Sequence, residues 1–181
     1  PILFKPKSKN TPKLVHNLLI LGGSLGAKKI NETVVKIKTP LNIWHQTGAK
    51  HIEEVKDMYA KDIHPSLKIE EFIEDMAEAY AWADIVICRS GAMTVSELIA
   101  TNTLAILVPF PYAVDNHQTI NAQYLSKNGA GILIEESIFN AELIDKEILA
   151  LNSEKLQEMT KNLELLSVAN PEMIIADYLF G

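Results

Sequence analysis

The stretch Asn17-Leu18-Leu19-Ile20-Leu21-Gly22-Gly23-Ser24-Leu25-Gly26 runs from an apolar segment straight into glycines. The segment is apolar at successive positions, so both of its sides ask for burial, as in a strand of a parallel sheet covered on both faces. A stretch of helical period follows at 27–37. Strand, glycine-rich turn and helix together form the opening unit of an α/β domain. Glycines in such a turn let the backbone approach a ligand closely, and the following helix N-terminus offers free N–H groups and a partial positive charge. Gly22, Gly23 and Gly26 therefore suit a diphosphate, with the Ser24 hydroxyl as a further donor. A second reading remains open, in which Ser24 only caps the helix and the glycines only form a tight turn.

The same alternation continues along the chain. Apolar runs fall at 17–21, 41–46, 67–72, 84–88, 104–109 and 131–134. Helical candidates lie at 27–37, 50–61, 75–82, 94–101 and 116–128, and three more follow at 141–151, 153–167 and 171–180. This order predicts a Rossmann-like, doubly wound parallel α/β sheet over 17–181 with a helical C-terminal tail. Residues 1–16, with Lys5, Lys7, Lys9, Lys13, Pro6 and Pro12, read as a linker or interdomain segment. Asn140 and Ser153 stand where N-caps belong, and Gly129 stands where a helix-terminating glycine belongs.

Composition narrows the function. At 181 residues, 48% hydrophobic and 22% charged, the chain has the make-up of one globular domain and not of a low-complexity or disordered segment. The net charge of −6 argues against a nucleic-acid partner, which calls for a basic excess. Cys88 is the sole cysteine, so no intrachain disulfide can form and a reducing compartment such as the cytoplasm is expected. No apolar run approaches the ~20 residues of a membrane-spanning helix, and the lysine-rich start is unlike a signal peptide. A chain that begins at Pro1 reads as a piece of a longer protein.

Ligands of open α/β sheets bind at the carboxyl ends of the strands, and three further loops stand out there. Cys88-Arg89-Ser90-Gly91-Ala92-Met93-Thr94-Val95-Ser96-Glu97 is a second strand end entering a helix. Glu97 there could accept from both hydroxyls of a ribose, or it could close a capping box with Thr94. In the stretch from Pro109 to Asn121, Gln118 and Asn121 are three apart and share a helix face, and their amides suit neutral sugar hydroxyls. Phe72-Ile73-Glu74-Asp75-Met76 could hold a flat base by its backbone. The spacing is wrong for a nicotinamide fingerprint, and the second strand ends at His45-Gln46-Thr47-Gly48 without the acidic residue a ribose would need. No Gly-Lys-Ser/Thr occurs, and the five histidines show no metal-ligand spacing. Cys88 reads as a small buried hydrophobe. A binding site is legible, and a catalytic base is not.

Five ordered motifs carry a resemblance: Gly22 to Ala27, Trp44-His45-Gln46-Thr47-Gly48, Phe72 to Met76, Cys88 to Glu97, and Val108-Pro109-Phe110 through Gln118 and Asn121. From about Asn17 onward the chain resembles the C-terminal half of the MurG family of bacterial N-acetylglucosaminyltransferases, which complete lipid II for the cell wall. The resemblance implies a GT-B glycosyltransferase of two Rossmann-like domains. This half would hold UDP-N-acetylglucosamine, and the other half, absent here, would hold the lipid I acceptor and supply the general base. It further implies that Ser24 contacts the diphosphate, that Ile73 hydrogen-bonds uracil through its backbone, and that Glu97 takes the ribose hydroxyls. Ala92, Met93, Thr94, Val95 and Ser96 would line phosphates and sugar, while Gln118 and Asn121 would bind the sugar hydroxyls. No cofactor and no metal are implied for donor recognition. The whole protein would sit peripherally on the cytoplasmic face of the bacterial membrane, and this half alone would bind donor without transferring it. Two departures stand out: Leu25 replaces the glutamine that follows Gly-Gly-Ser in many relatives, and Pro1-Ile2-Leu3-Phe4 lacks the arginine of their interdomain segment. The rival readings are a UDP-GlcNAc 2-epimerase on the same scaffold and a non-catalytic nucleotide-sugar-binding module.

Overall fold

The computed structural model describes residues 13–23, 26–59, 63–113 and 116–169. Ser24, Leu25, the Pro1–Phe4 segment and the expected helix at 171–180 lie outside them.

Among the described residues, six strands and seven helices follow one another, beginning with β1 (Asn17–Leu21), α1 (Lys28–Val34), β2 (Asn42–Gln46), α2 (Ile52–Met58), β3 (Ser66–Glu70), α3 (Met76–Trp82) and β4 (Ile85–Cys88). They continue with α4 (Ala92–Thr101), β5 (Leu104–Leu107), α5 (His117–Lys127), β6 (Ile132–Leu133), α6 (Ala141–Ala150) and α7 (Ser153–Ala169). The strands form one sheet in the order β3-β2-β1-β4-β5-β6, and every pairing is parallel. This is the doubly wound α/β sheet that the apolar runs predict.

The central strands justify the reasoning from apolar runs. Every residue of β4 and β5 is buried, as are Leu18 to Leu21 of β1, because helices cover both faces. Edge strand β3 departs from it: Ser66, Leu67 and Lys68 are exposed. Its outer end is dressed instead by a polar cluster. The Trp44 indole N–H donates to Glu70 Oε2 at 2.6 Å, and the Lys68 ammonium lies 3.7 Å from the Trp44 ring centroid.

Caps set the helix boundaries. Asn140 Oδ1 accepts from Leu143 N–H at 2.9 Å, as the sequence predicts for α6. For α7 the cap is Asn152, whose Oδ1 accepts from Lys155 N–H at 2.9 Å; Ser153 is the first helical residue and not the cap. Gly129, at φ 64°, ends α5: its N–H donates to Ser126 C=O and that of Ala130 to Leu125 C=O, the paired bonds of a Schellman motif. At the amino ends of the central strands β1 and β4, the Asp84 carboxylate accepts from the His16 and Asn17 N–H groups at 2.9 and 2.8 Å. Asp145 of α6 accepts from the Lys38 and Thr39 N–H groups and from the Thr39 hydroxyl, pinning the tail to the turn before β2.

Candidate functional site

Strand order reverses between β1 and β4, so the chain leaves these neighbours in opposite directions. At such a switch point the loops beyond the carboxyl ends of the strands part, and the crevice between them is where open α/β sheets bind ligands. Its two walls are the glycine loop after β1 and the Arg89–Gly91 turn after β4.

The three glycines have different jobs. Gly22 N–H donates to Gln46 C=O at 2.9 Å, and a Cβ at position 22 would lie 2.9 Å from that oxygen. At Gly26, φ is +77°, and a Cβ would lie 2.6 Å from Thr47 O and 2.5 Å from His51 Cδ2. These two glycines let the loop lie against the end of β2. Gly23, at φ +71°, has no atom of the described residues within 4 Å of where a Cβ would stand. Of the three, it is the glycine with room at its Cβ position.

Beneath the loop runs a buried polar relay. The Tyr59 hydroxyl lies 2.9 Å from His45 Nδ1, and His45 Nε2 lies 3.1 Å from Asn31 Oδ1. The Asn31 amide donates from Nδ2 to Thr47 C=O at 3.0 Å. An amide oxygen can only accept, so His45 carries its proton on Nε2 and Nδ1 accepts from Tyr59. Burial pushes the imidazole down to about 3, so it stays neutral. Thr47 O is the atom against which Gly26 is packed, and the relay therefore fixes the wall on which the glycine loop rests.

On the other wall, Gly91 is the N-cap of α4 and brings no side chain to cap its first turn. The helix begins at Ala92, earlier than the expected 94, so Thr94 is its third residue and cannot act as an N-cap. The alternative capping box between Thr94 and Glu97 is thereby excluded. Ala92 and Met93 are exposed at the helix start, while Val95 and Ser96 are buried. The half-buried Glu97 accepts from the Tyr80 hydroxyl of α3 through Oε2 at 2.8 Å. Burial raises the pKa of this carboxyl, and the tyrosine hydrogen bond partly opposes that by favouring the charged form.

Gln118 and Asn121 do share a face of α5, but each already has a partner. Gln118 Oε1 accepts from Phe110 N–H at 2.9 Å, and Asn121 Nδ2 donates to Ser90 C=O at 3.1 Å. The Ser90 hydroxyl returns a bond to Gln118 C=O at 2.7 Å. These amides thus lock the β4 and β5 loops together. The Ile73 side chain is buried and seats its backbone at the start of the β3–α3 connection, beside the exposed Phe72. Asp75 caps α3 immediately afterwards, accepting from Glu78 N–H at 2.9 Å. Among the described residues, no group of three or more His, Cys, Asp or Glu is placed to hold a metal ion.

Residues 17–173 match the glycosyltransferase family 28 C-terminal domain. The chain belongs to that family. A transferase of Vesicomyosocius okutanii, named UDP-N-acetylglucosamine–N-acetylmuramyl-(pentapeptide) pyrophosphoryl-undecaprenol N-acetylglucosamine transferase, is 49% identical over 99% of this chain and 52% of its own length. A transferase of the same name from Methylococcus capsulatus is 44% identical over 90% of this chain and 46% of its own. The crystal structure of Acinetobacter baumannii MurG superposes with a TM-score of 0.80 at 33% identity, covering 98% of this chain and 55% of that one. The resemblance carried by the five motifs is upheld, and the fold is the C-terminal Rossmann-like half of a GT-B glycosyltransferase. The chain spans about half the length of the curated relatives it matches.

This family 28 domain also holds residues to which sequence reasoning gave no role. Arg89 Nη1 donates to the carbonyls of Val108 and Pro109, both at 3.2 Å, while its Nη2 pairs with Glu136 and its plane lies 5.2 Å from the Phe110 ring. One guanidinium thus ties together the loops after β4, β5 and β6. Nothing in the spacing of Arg89 and Glu136 announces the pair. Tyr80 and Tyr59 fall within the helices expected at 75–82 and 50–61, and their hydroxyls find partners distant in sequence, Glu97 and His45.

Proposed function

We propose that this chain is the donor-binding domain of an inverting glycosyltransferase. The enzyme moves N-acetylglucosamine from UDP-N-acetylglucosamine to the C4 hydroxyl of undecaprenyl-pyrophosphoryl-MurNAc-pentapeptide, turning lipid I into lipid II. The observation that carries this reading is the 49% identity, over nearly the whole chain, to a transferase whose name states that donor and that acceptor. The switch-point crevice supports it, with Gly23 on one wall and Gly91, the N-cap of α4, on the other.

In this reading the diphosphate lies between Gly22–Gly26 and the N–H groups at Ala92 to Thr94, with Ser24 as a further donor. Glu97 accepts from the ribose hydroxyls, and the Ile73 backbone reads the base. Met93, Val95 and Ser96 shape the wall beside the phosphates and sugar. Gln118 Nε2 and Asn121 Oδ1, the amide atoms not used in holding the loops, face the sugar. As the acceptor hydroxyl attacks the anomeric carbon, the bond to UDP breaks and negative charge grows on the departing diphosphate. Fixed N–H donors stabilise that charge, and one well-placed donor is worth roughly 3 kcal/mol. The general base belongs to the half of the relatives that this chain does not span, so the chain binds donor and transfers nothing. Donor binding needs no divalent metal, and the acceptor is met at the cytoplasmic membrane surface. No described helix is long and apolar enough to cross a membrane.

The test is calorimetric titration of the chain with UDP-N-acetylglucosamine in EDTA, with Glu97→Gln in parallel. Saturable binding by the parent and a roughly ten- to hundredfold loss in the variant are expected, the span for a lost hydrogen bond to a charged group. A folded parent that binds neither the donor nor UDP would overturn the reading.

A further inference from the structure

We infer that Tyr80 is a positioning residue for the donor: its hydroxyl holds one oxygen of Glu97 so that the other is presented to the ribose. This rests on the reading of Glu97 just given.

Tyr80 stands on α3 and Glu97 on α4, helices that pack together, and the bond between them is 2.8 Å long. The tyrosine ring is fully buried, so its hydroxyl is a fixed donor, whereas the carboxylate is only half-buried and reaches the boundary of the protein. A free glutamate side chain samples several rotamers, and a diol needs one orientation of its carboxylate. Fixing Oε2 from the protein side leaves Oε1 as the outward acceptor and removes that freedom before the ligand arrives. The backbone around Tyr80 is itself anchored, because the Thr103 hydroxyl donates to Tyr80 C=O at 3.4 Å.

The contact also sets the charge of the carboxylate. Burial favours the neutral acid, and the Tyr80 O–H favours the anion. The groups that face Glu97 are Tyr80 from α3 and Cys88 from β4. Burial pushes the Cys88 thiol up to about 12, and burial together with Glu97 pushes the Tyr80 phenol up as well, so both stay protonated across the working range. Glu97 is then the group of the three whose charge changes with pH, and affinity falls as the pH drops through its raised pKa. Loss of the Tyr80 donor raises that pKa further and moves the fall to higher pH.

The experiment measures UDP-N-acetylglucosamine affinity of the chain by calorimetry from pH 5 to 8, for the parent, Tyr80→Phe, Glu97→Gln and the double variant. Tyr80→Phe is expected to keep its melting temperature within a few degrees and to bind roughly tenfold more weakly at pH 7. Its acid limb should lie at higher pH than the parent's. In the Glu97→Gln background, the limb should vanish and Tyr80→Phe should add little. Replacing Tyr80 by 3-fluorotyrosine, the same shape with a stronger O–H donor, should move the limb the other way, and this arm stands even if Tyr80→Phe folds poorly. Parent-like affinity and an unmoved limb in Tyr80→Phe or the fluorotyrosine protein would overturn the inference. Parent-like binding by Glu97→Gln would instead overturn the underlying assignment of Glu97.

Discussion

His45 makes the chain's stability depend on pH. In the unfolded chain a histidine titrates near 6.5, and in the folded one burial holds His45 down to about 3. Between those values the unfolded state binds a proton that the folded state refuses. The contribution is therefore complete above pH 6.5 and drains away as the pH falls toward 3. Between pH 7 and pH 5 the loss is set almost wholly by the unfolded state, and integrating the difference in bound protons gives about 2 kcal/mol. The perturbation is His45→Gln, which cannot titrate yet keeps an amide able to donate toward Asn31. Urea unfolding at pH 7 and pH 5 reads the effect. With an m-value of about 2 kcal/mol per molar, the parent should lose about 1 M of midpoint more than the variant does over that interval. The difference between parent and variant isolates the part of the pH dependence that belongs to His45. Parallel pH dependence in parent and variant would refute the reasoning, because it would mean that the imidazole is reached by solvent or has room to charge. The same variant tests the relay's purpose: if the relay sets the wall behind the glycine loop, donor affinity at pH 7 falls along with stability.

The glycine loop separates steric from conformational cost. Gly22→Ala should lose roughly 1–3 kcal/mol by crowding Gln46 O, Gly23→Ala only about 1 kcal/mol through its positive φ, and Gly26→Ala the most of the three in urea unfolding, because it meets Thr47 O and also has a positive φ. Glu136→Gln should leave the Arg89 charge without its counter-ion and cost roughly 1–3 kcal/mol in urea unfolding, and donor affinity should fall as well because three loops lose their common tie. Cys88, buried and with its thiol pushed up to about 12, should resist a thiol reagent such as DTNB in the native protein and react at once in 6 M urea; rapid native reaction would show that β4 opens.

The architecture was readable because it rests on local rules. Apolar runs buried on both faces, alternating with helical period, admit little else than a parallel sheet wrapped by helices, and Asn140 and Gly129 mark helix ends by chemistry confined to a few residues. Where local rules competed, the fold chose. Ser153 and Asn152 are both fair caps, and the side chain that reaches the Lys155 N–H is Asn152. Thr94 and Glu97 have capping-box spacing, but α4 starts two residues before Thr94, which leaves Glu97 to Tyr80.

The sequence by itself determined the strand–glycine–helix unit, the loops that carry polar groups at strand ends, and the five ordered motifs of the family, because each depends on neighbours within one turn or one strand. Only the tertiary structure decided which glycine has room at its Cβ position, that Gln118 and Asn121 spend half of their amide atoms on loops, and that Arg89 joins Glu136 across three connections. It also decided that His45 is a buried neutral strut and not a solvent-facing base. Those outcomes depend on residues brought together by the sheet order, and a hydrogen bond between side chains far apart in the chain leaves no periodicity for a sequence to display.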